Sequence, residues 1–593
     1  MLTKQLTKYM QEAFEAAGFD PSYGDVVVSG RPDLCQFQCN GAMPASKVYK
    51  LPPFQISDRV IEEFIKLTAN SKMIQEAVTI KPGFINISLS NEYLALTLNQ
   101  IASDSRLGVS LNRQPNRIVL DYGGPNIAKP LHVGHLRTAI IGESLKRLFR
   151  FLGDTVIADV HLGDWGLQMG MIISEIQRTQ PDLAYFNETY EGPYPSDAPF
   201  NLADLEEIYP RVSAKCKEDE AIYSQAKETT YHLQQGKPGY LALWKHIVDI
   251  SIEDIKKNYE RLNVDFDLWY GESTSHPFID PAIQILKDKG ALYESDGALV
   301  VDVTRPDDKK ELPPIILFKS DGSVIYGTTD LATIYQRISD FSPSHILYVV
   351  DSRQATHFTQ VFRCALDHGV CPSDVSLEHI GFGTMNGKDG KPFKTRAGGI
   401  LKLSDLIEMV ESNAQAKILE NAKEKEILLS EEDVANTSHM IGLATLKYAD
   451  LSNYRMKDYI FDLEKFSSFE GKTGPYILYS TVRIKNIIRK LEADQFPRTE
   501  ILAPESDVER DLMLKIDGFE YALQTAARDR APNILCEYVY DLATLVSSFY
   551  HTHHIINETD LRKKGSWYSL LKLAHDVIVQ GLDLLGILVP EKM

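Results

Sequence analysis

A strand, helix, strand series near residue 120 restricts the fold most. RIVLDYG at 117–123 is a buried-strand run, LHVGHLRTAIIGESLKRLFRFLG at 131–153 is a helix run, and DTVIADVHLG at 154–163 is a second strand run. At this spacing the three form a parallel βαβ unit. HILYVVD at 345–351, a helix through about 368 and VSLEHIGFGTM at 375–385 form another. The two units fit the halves of a split, doubly wound sheet, so the chain reads as α/β with a Rossmann-like catalytic domain.

At 593 residues there is room for three or four such domains. Residues 1–112 mix helix patterns with the strand candidate GFINISL and read as a small α+β domain; 113–402 hold the βαβ units, with an insertion at about 178–275. From 403 to 593 nearly everything has helical period, which predicts an all-α C-terminal domain. The 82 acidic against 63 basic residues, a net charge of −19, argue against nonspecific coating of nucleic acid and leave room for a local basic groove. Six cysteines without CxxC spacing favour a reducing compartment and no structural zinc. No apolar run reaches membrane-spanning length, and the N-terminal segment reads as an ordinary amphipathic helix. The expectation is a soluble, cytoplasmic protein with no membrane partner, and, without a coiled coil, a monomer.

Two loops carry the chemistry. The first, Asp121-Tyr-Gly-Gly-Pro-Asn126-Ile-Ala-Lys129-Pro-Leu-His132-Val-Gly134-His135, lies between a strand end and a helix start. In a parallel sheet that is where ligands bind, and a helix N-terminus there offers free N–H groups to phosphate. Gly134 lets a nucleotide approach the backbone, and His132 and His135 donate to phosphate oxygens. The second loop, GKDGKPFKTRAGG at 387–399, places Lys388, Lys391, Lys394 and Arg396 among glycines, suited to closing over a polyphosphate. Taken singly, each feature has a plain alternative: satisfied histidines for the first, a solvated basic loop for the second. Their pairing in one chain favours nucleotide chemistry.

These runs resemble the class I aminoacyl-tRNA synthetases, and arginyl-tRNA synthetases in particular. HVGH is similar to the class I His-Ile-Gly-His signature. The likeness continues through HLGDWGLQMG, YGTTDLATIYQR, YVVDSRQATHF, KYADLSNYRMKDYIFD, FEGKTGPYILYSTVRI and GLDLLGILVPEKM. Two departures stand out. Phe393-Lys394-Thr395-Arg396-Ala397 replaces the usual Lys-Met-Ser-Lys-Ser, and the resemblance implies that Lys129 compensates on the ATP phosphates. The Asp-Ala-Leu-Arg motif of the last domain is not recognisable near Trp567 to Lys572, which leaves the anticodon contacts open.

The resemblance implies an arginine–tRNA ligase whose substrates are L-arginine, ATP with Mg²⁺ and tRNA(Arg), with no tightly bound cofactor and no resident metal. Carboxylates suit a guanidinium because paired charge-assisted bonds separate it from an ammonium. By resemblance Asp121, Tyr326 and Asp330 hold the guanidinium, and Asn126 and Gln354 hold the amino-acid backbone end. Asp164 and Gln168 line the pocket, although Gly163-Asp164-Trp165-Gly166 also fits a tight turn packed by Trp165. His357 is expected to face adenine or to cap its helix. Gly134, His132 and His135 are the remaining ATP contacts, with Lys129, Lys394 and Arg396 on the phosphates. For tRNA, the expected contacts are Phe37, Gln38 and Asn40 near the N-terminus and Tyr476, Tyr479 and Arg483 on a helix mixing aromatics with cations. Rival readings are a ligase for another amino acid, a nucleotidyltransferase of the same fold, which would not need the helical C-terminal domain, and a non-catalytic RNA-binding paralogue, which intact His132, Gly134 and His135 disfavour.

Overall fold

The computed structural model describes residues 2–31, 34–320, 322–391, 401–424, 426 and 428–593. Contacts divide it into two compact units, residues 112–468 with 584–588, and residues 1–111 with 469–583 and 589–593.

The first unit is built on four parallel strands: β1 (Arg117–Asp121), β2 (Thr155–Asp159), β3 (His345–Tyr348) and β4 (Ser376–His379), in the order β4-β3-β1-β2. All four predicted strand runs therefore form strands. Helix α1 (Gly134–Leu152) joins β1 to β2, and α3 (Ala355–Asp367) joins β3 to β4; α2 (Tyr326–Phe341) precedes β3. The strand order reverses between β1 and β3, where Asp121 is in register with Tyr348, so the crevice above those two carboxyl ends is the topological switch point. Val119, Ile346, Leu331, Ile334 and Val361 are fully buried in the core behind it.

Three helices, Leu202–Glu218, Glu220–Gln234 and Pro238–Arg261, occupy the expected insertion. Glu175, almost wholly buried on the preceding helix beside Arg178, anchors it by accepting bonds from Arg211 and Lys215. A three-stranded antiparallel sheet, Leu292–Ser295, Ala298–Val301 and Ile315–Phe318, follows; the sequence analysis did not anticipate it.

The packing does not change at residue 403. Helix α4 (Glu431–Leu451) belongs to the first unit because Arg137 of α1 and Asp450 of α4, both buried, form an ion pair at 2.9 Å. The second unit combines the four-stranded antiparallel sheet Val26–Val28, Phe37–Cys39, Phe84–Leu89 and Ile74–Ile80 with the terminal helices from Gly474 onward. Asn99, on the Asn91–Ser103 helix, ties them by donating to the Ile501 carbonyl and accepting from the Ile501 N–H. Helical period alone cannot distinguish which core a helix serves, so the N-terminal domain and the last helices share a unit that the sequence reading kept apart. Among the described residues no helix is long and apolar enough to cross a membrane, and all six cysteines are buried free thiols.

Candidate active site

The loop after β1 turns through Gly123, at φ +93°, where a Cβ would come within 2.9 Å of the Phe266 ring. It then runs beside the loop after β2 through a bridge between Asn126 and Gly163 and enters α1 at Gly134. Here the two histidines adopt a defined state. The Gly134 N–H donates to His132 Nδ1 at 3.0 Å, and the His132 N–H donates to His135 Nδ1 at 3.1 Å. With Nδ1 accepting in both rings, the proton of each neutral imidazole sits on Nε2. Burial, with Lys129 nearby, lowers the His132 pKa; burial and the neighbouring His132 bring His135 down to about 3. The rings lie 4.0 Å apart, so the loop carries two neutral Nε2–H donors side by side.

The neighbouring histidine also requires glycine at 134. A Cβ there would meet His132 Cε1 at 2.7 Å, so the absence of a side chain at Gly134 makes room for the imidazole. Lys129 rests its ammonium over the Tyr209 ring at 4.4 Å. Lys394 and Arg396 lie outside the described residues. His132 also bridges to Lys402, and the Val133 N–H donates to the Leu401 carbonyl at 3.1 Å, which ties the loop to the segment just after 400.

Asp121 corrects an expectation. Its carboxylate is buried and accepts from Arg337 Nη2 at 2.6 Å, the same nitrogen that serves Asp159 at 2.6 Å, while the Arg337 guanidinium lies 5.2 Å from the Tyr348 ring. The guanidinium it holds is therefore the protein's own. Asp121, Asp159 and His161 form the one cluster with metal-ligand spacing among the described residues. Arg337 already supplies positive charge to it. His161, at φ +42°, has its pKa raised: burial opposes its charge, but the Asp159 carboxylate, 3.6 Å from Nδ1, and the charge of Asp121 outweigh it.

A second group of acids lies further out. Tyr326 and Asp330 stand one turn apart at the start of α2, Tyr326 exposed and Asp330 half-buried. Facing them is Glu272, which the sequence analysis missed. The chain leaves the insertion, lays Leu268 and Gly271 alongside the end of β2, and starts a short helix at Glu272. An acid ending the strand-like DLWYG run was the available signal. Burial pushes Glu272 up to about 7, with Asp164 and Asp330 adding to the push and His161 opposing it. Asp164 is buried and accepts from the Ser273 N–H at 2.9 Å and hydroxyl at 2.5 Å, positioning the Glu272 segment more than opening to solvent. Gln168 is committed to the Ile127 carbonyl. Trp165 packs edge-on against Trp244, as a turn-packing residue should. Asn126 and Gln354 are exposed at the crevice rim. His357 turns to Asp330, its Nε2 2.5 Å from the carboxylate.

In the second unit, Phe37 is buried inside its sheet, which removes it from the expected RNA contacts: alternation along Phe37–Cys39 turns that ring inward. Gln38 donates to Asn86 at 2.8 Å, and Asn40 is exposed. On the Gly474–Ala493 helix Tyr479 and Arg483 are exposed, Arg483 5.3 Å from the Tyr550 ring, while Tyr476 packs on Tyr540. Lys485 and Arg489 are both held by Glu591.

A histidine pair at the mouth of a split parallel sheet, with acids across the crevice, is the layout of a class I aminoacyl-tRNA synthetase catalytic domain. Residues 97–463 match the family model for the class I (R) tRNA synthetase catalytic domain, 2–89 the arginyl-tRNA synthetase N-terminal domain, and 477–593 the DALR anticodon-binding domain. The last match stands although the four-letter motif itself is unrecognisable. The chain is 50% identical, over the whole of both chains, to an arginine–tRNA ligase of Alkaliphilus oremlandii, and 43% identical over 99% of both to one of Francisella tularensis. Among solved structures, the arginyl-tRNA synthetase of Plasmodium falciparum superposes with a TM-score of 0.82 at 25% identity, covering 100% of this chain and 99% of that one. That of Thermus thermophilus gives 0.79 at 20%, covering both completely, a likeness of fold. The chain belongs to the arginyl-tRNA synthetases.

Proposed function

We propose that the crevice above β1 and β3 activates arginine with ATP and passes it to tRNA(Arg). The observation that carries this is the pairing of two neutral Nε2–H donors at a helix start with a Glu272, Tyr326 and Asp330 face across the same crevice. The arginine carboxylate attacks the ATP α-phosphate in line and pyrophosphate leaves; a ribose hydroxyl of the tRNA 3′-terminal adenosine, the 2′-hydroxyl in this class, then attacks the adenylate carbonyl. His132 and His135 donate to phosphate oxygens whose charge rises in the transition state, and preorganised donors of this kind stabilise it without reorganising. Being neutral, they do so without losing a proton as pH changes.

Lys129, which has only to leave the Tyr209 ring, joins Lys394 and Arg396 on the phosphates, and Mg²⁺ arrives with ATP as part of the substrate. Glu272 and Asp330 flank the guanidinium, Tyr326 accepts from it through its hydroxyl oxygen or closes over it, and Asn126 and Gln354 take the amino-acid backbone. Asp164 and Asp121 act behind this layer, Asp164 by holding Ser273 and Asp121 by holding Arg337. Asn40 and Gln38, and separately Tyr476, Tyr479 and Arg483, meet the tRNA. We read the protein as a cytoplasmic monomer. The test is arginine-dependent ATP–pyrophosphate exchange with and without tRNA(Arg). Exchange that needs both arginine and tRNA supports the assignment; tight tRNA binding with no exchange under either condition sinks it in favour of a non-catalytic RNA-binding protein.

A further inference from the structure

The bond between His357 and Asp330 places a residue where the sequence did not. His357 lies in the first turn of α3 and Asp330 in the second turn of α2, helices that pack on one another. Both side chains are about a quarter exposed, and Nε2 stands 2.5 Å from Oδ2. Two acceptors cannot approach that closely, so Nε2 carries the proton and donates to the carboxylate. The ring is also held edge-on to Phe358 at 5.6 Å, and Phe358 in turn stacks on His379 and packs on Tyr348, so the donor sits on a rigid base.

We propose that His357 is a positioning residue for amino-acid selection: its Nε2–H fixes the plane of the Asp330 carboxylate so that the carboxylate meets a planar guanidinium in register, and it does not serve adenine. An aspartate carboxylate otherwise turns broadly about its last torsion. A guanidinium docks through two parallel N–H donors and needs a fixed carboxylate plane, whereas the lysine ammonium is a point charge that tolerates rotation. The imidazole therefore sharpens arginine over lysine without touching either. This rests on the reading of Asp330 as a guanidinium partner.

Steady-state charging of tRNA(Arg) by the full chain, with the KM of arginine and of ATP measured separately and L-lysine as competitor, tests it. His357→Leu and His357→Ala remove the donor, and His357→Gln restores an N–H at similar reach. The expected result is an arginine KM raised about tenfold in the Leu and Ala variants, an unchanged ATP KM, weaker discrimination against lysine, and recovery to within about threefold of wild type with Gln. A raised ATP KM with the arginine KM unchanged overturns the proposal, as does a Gln variant as impaired as Leu, which would mark a packing role. Asp330→Ala separates the two levels: if its arginine KM is normal, the reading of Asp330 fails whatever His357 does. If wild type charges no tRNA, the proposed function itself fails.

Discussion

Arginine binding should be linked to the proton on Glu272. With its pKa near 7 in the empty crevice, about nine tenths of the protein carries the carboxylate at pH 8 and about one tenth at pH 6. Only the ionised form pairs with a guanidinium, so the arginine KM should rise about tenfold from pH 8 to pH 6 while the ATP KM stays level. Protonation of His161 pushes the same way, since its pKa is also raised, and Glu272→Gln separates the two. Losing a charge-assisted bond worth about 1.5–3 kcal/mol raises the KM at pH 8 by roughly ten- to a hundredfold. The pH dependence that remains in that variant belongs to His161. The assay is initial-rate charging at saturating ATP and tRNA across pH 6–8. A wild-type arginine KM that is flat in this range, or a slope equally steep in Glu272→Gln, refutes the argument. Stability carries the complementary sign. Because the folded pKa lies above the ordinary carboxylate value, the contribution of Glu272 is present at low pH and lost as pH rises through about 7. The Gln variant should therefore have a higher Tm than wild type at pH 8 and no such advantage at pH 4.

Two further substitutions probe the frame around the site. Gly134→Ala puts a methyl 2.7 Å from the His132 ring, which displaces one Nε2–H donor; kcat should fall about a hundredfold with little change in Tm, and an unchanged kcat would refute the donor role. Arg337→Met leaves Asp121 and Asp159 buried without their shared partner, and should cost about 3–5 kcal/mol in denaturant unfolding; a loss under about 1 kcal/mol would show that the two carboxylates do not depend on it.

Strand runs, the loop between β1 and α1 and the family were legible in the sequence because their signals are local. Strand length, a helix start and a run such as HVGH are set by neighbours along the chain. The sequence therefore determined the parallel units, the position of His132, Gly134 and His135 at a sheet mouth, and the absence of a cysteine scaffold. Tertiary structure decided what each charged group faces. Asp121 and Asp330 look alike as acids beside motifs, yet one is consumed by Arg337 from a distant helix and the other stays half-open against His357. Glu272 was marked in the sequence only by its place at the end of the DLWYG run, too weak a signal to single it out; the insertion has to fold back on β2 before that acid reaches the crevice. Helical period likewise identified the last helices but not which core they complete. A residue's chemical type and period are properties of the chain, whereas the partner that satisfies a buried charge is set by which segments meet across the fold.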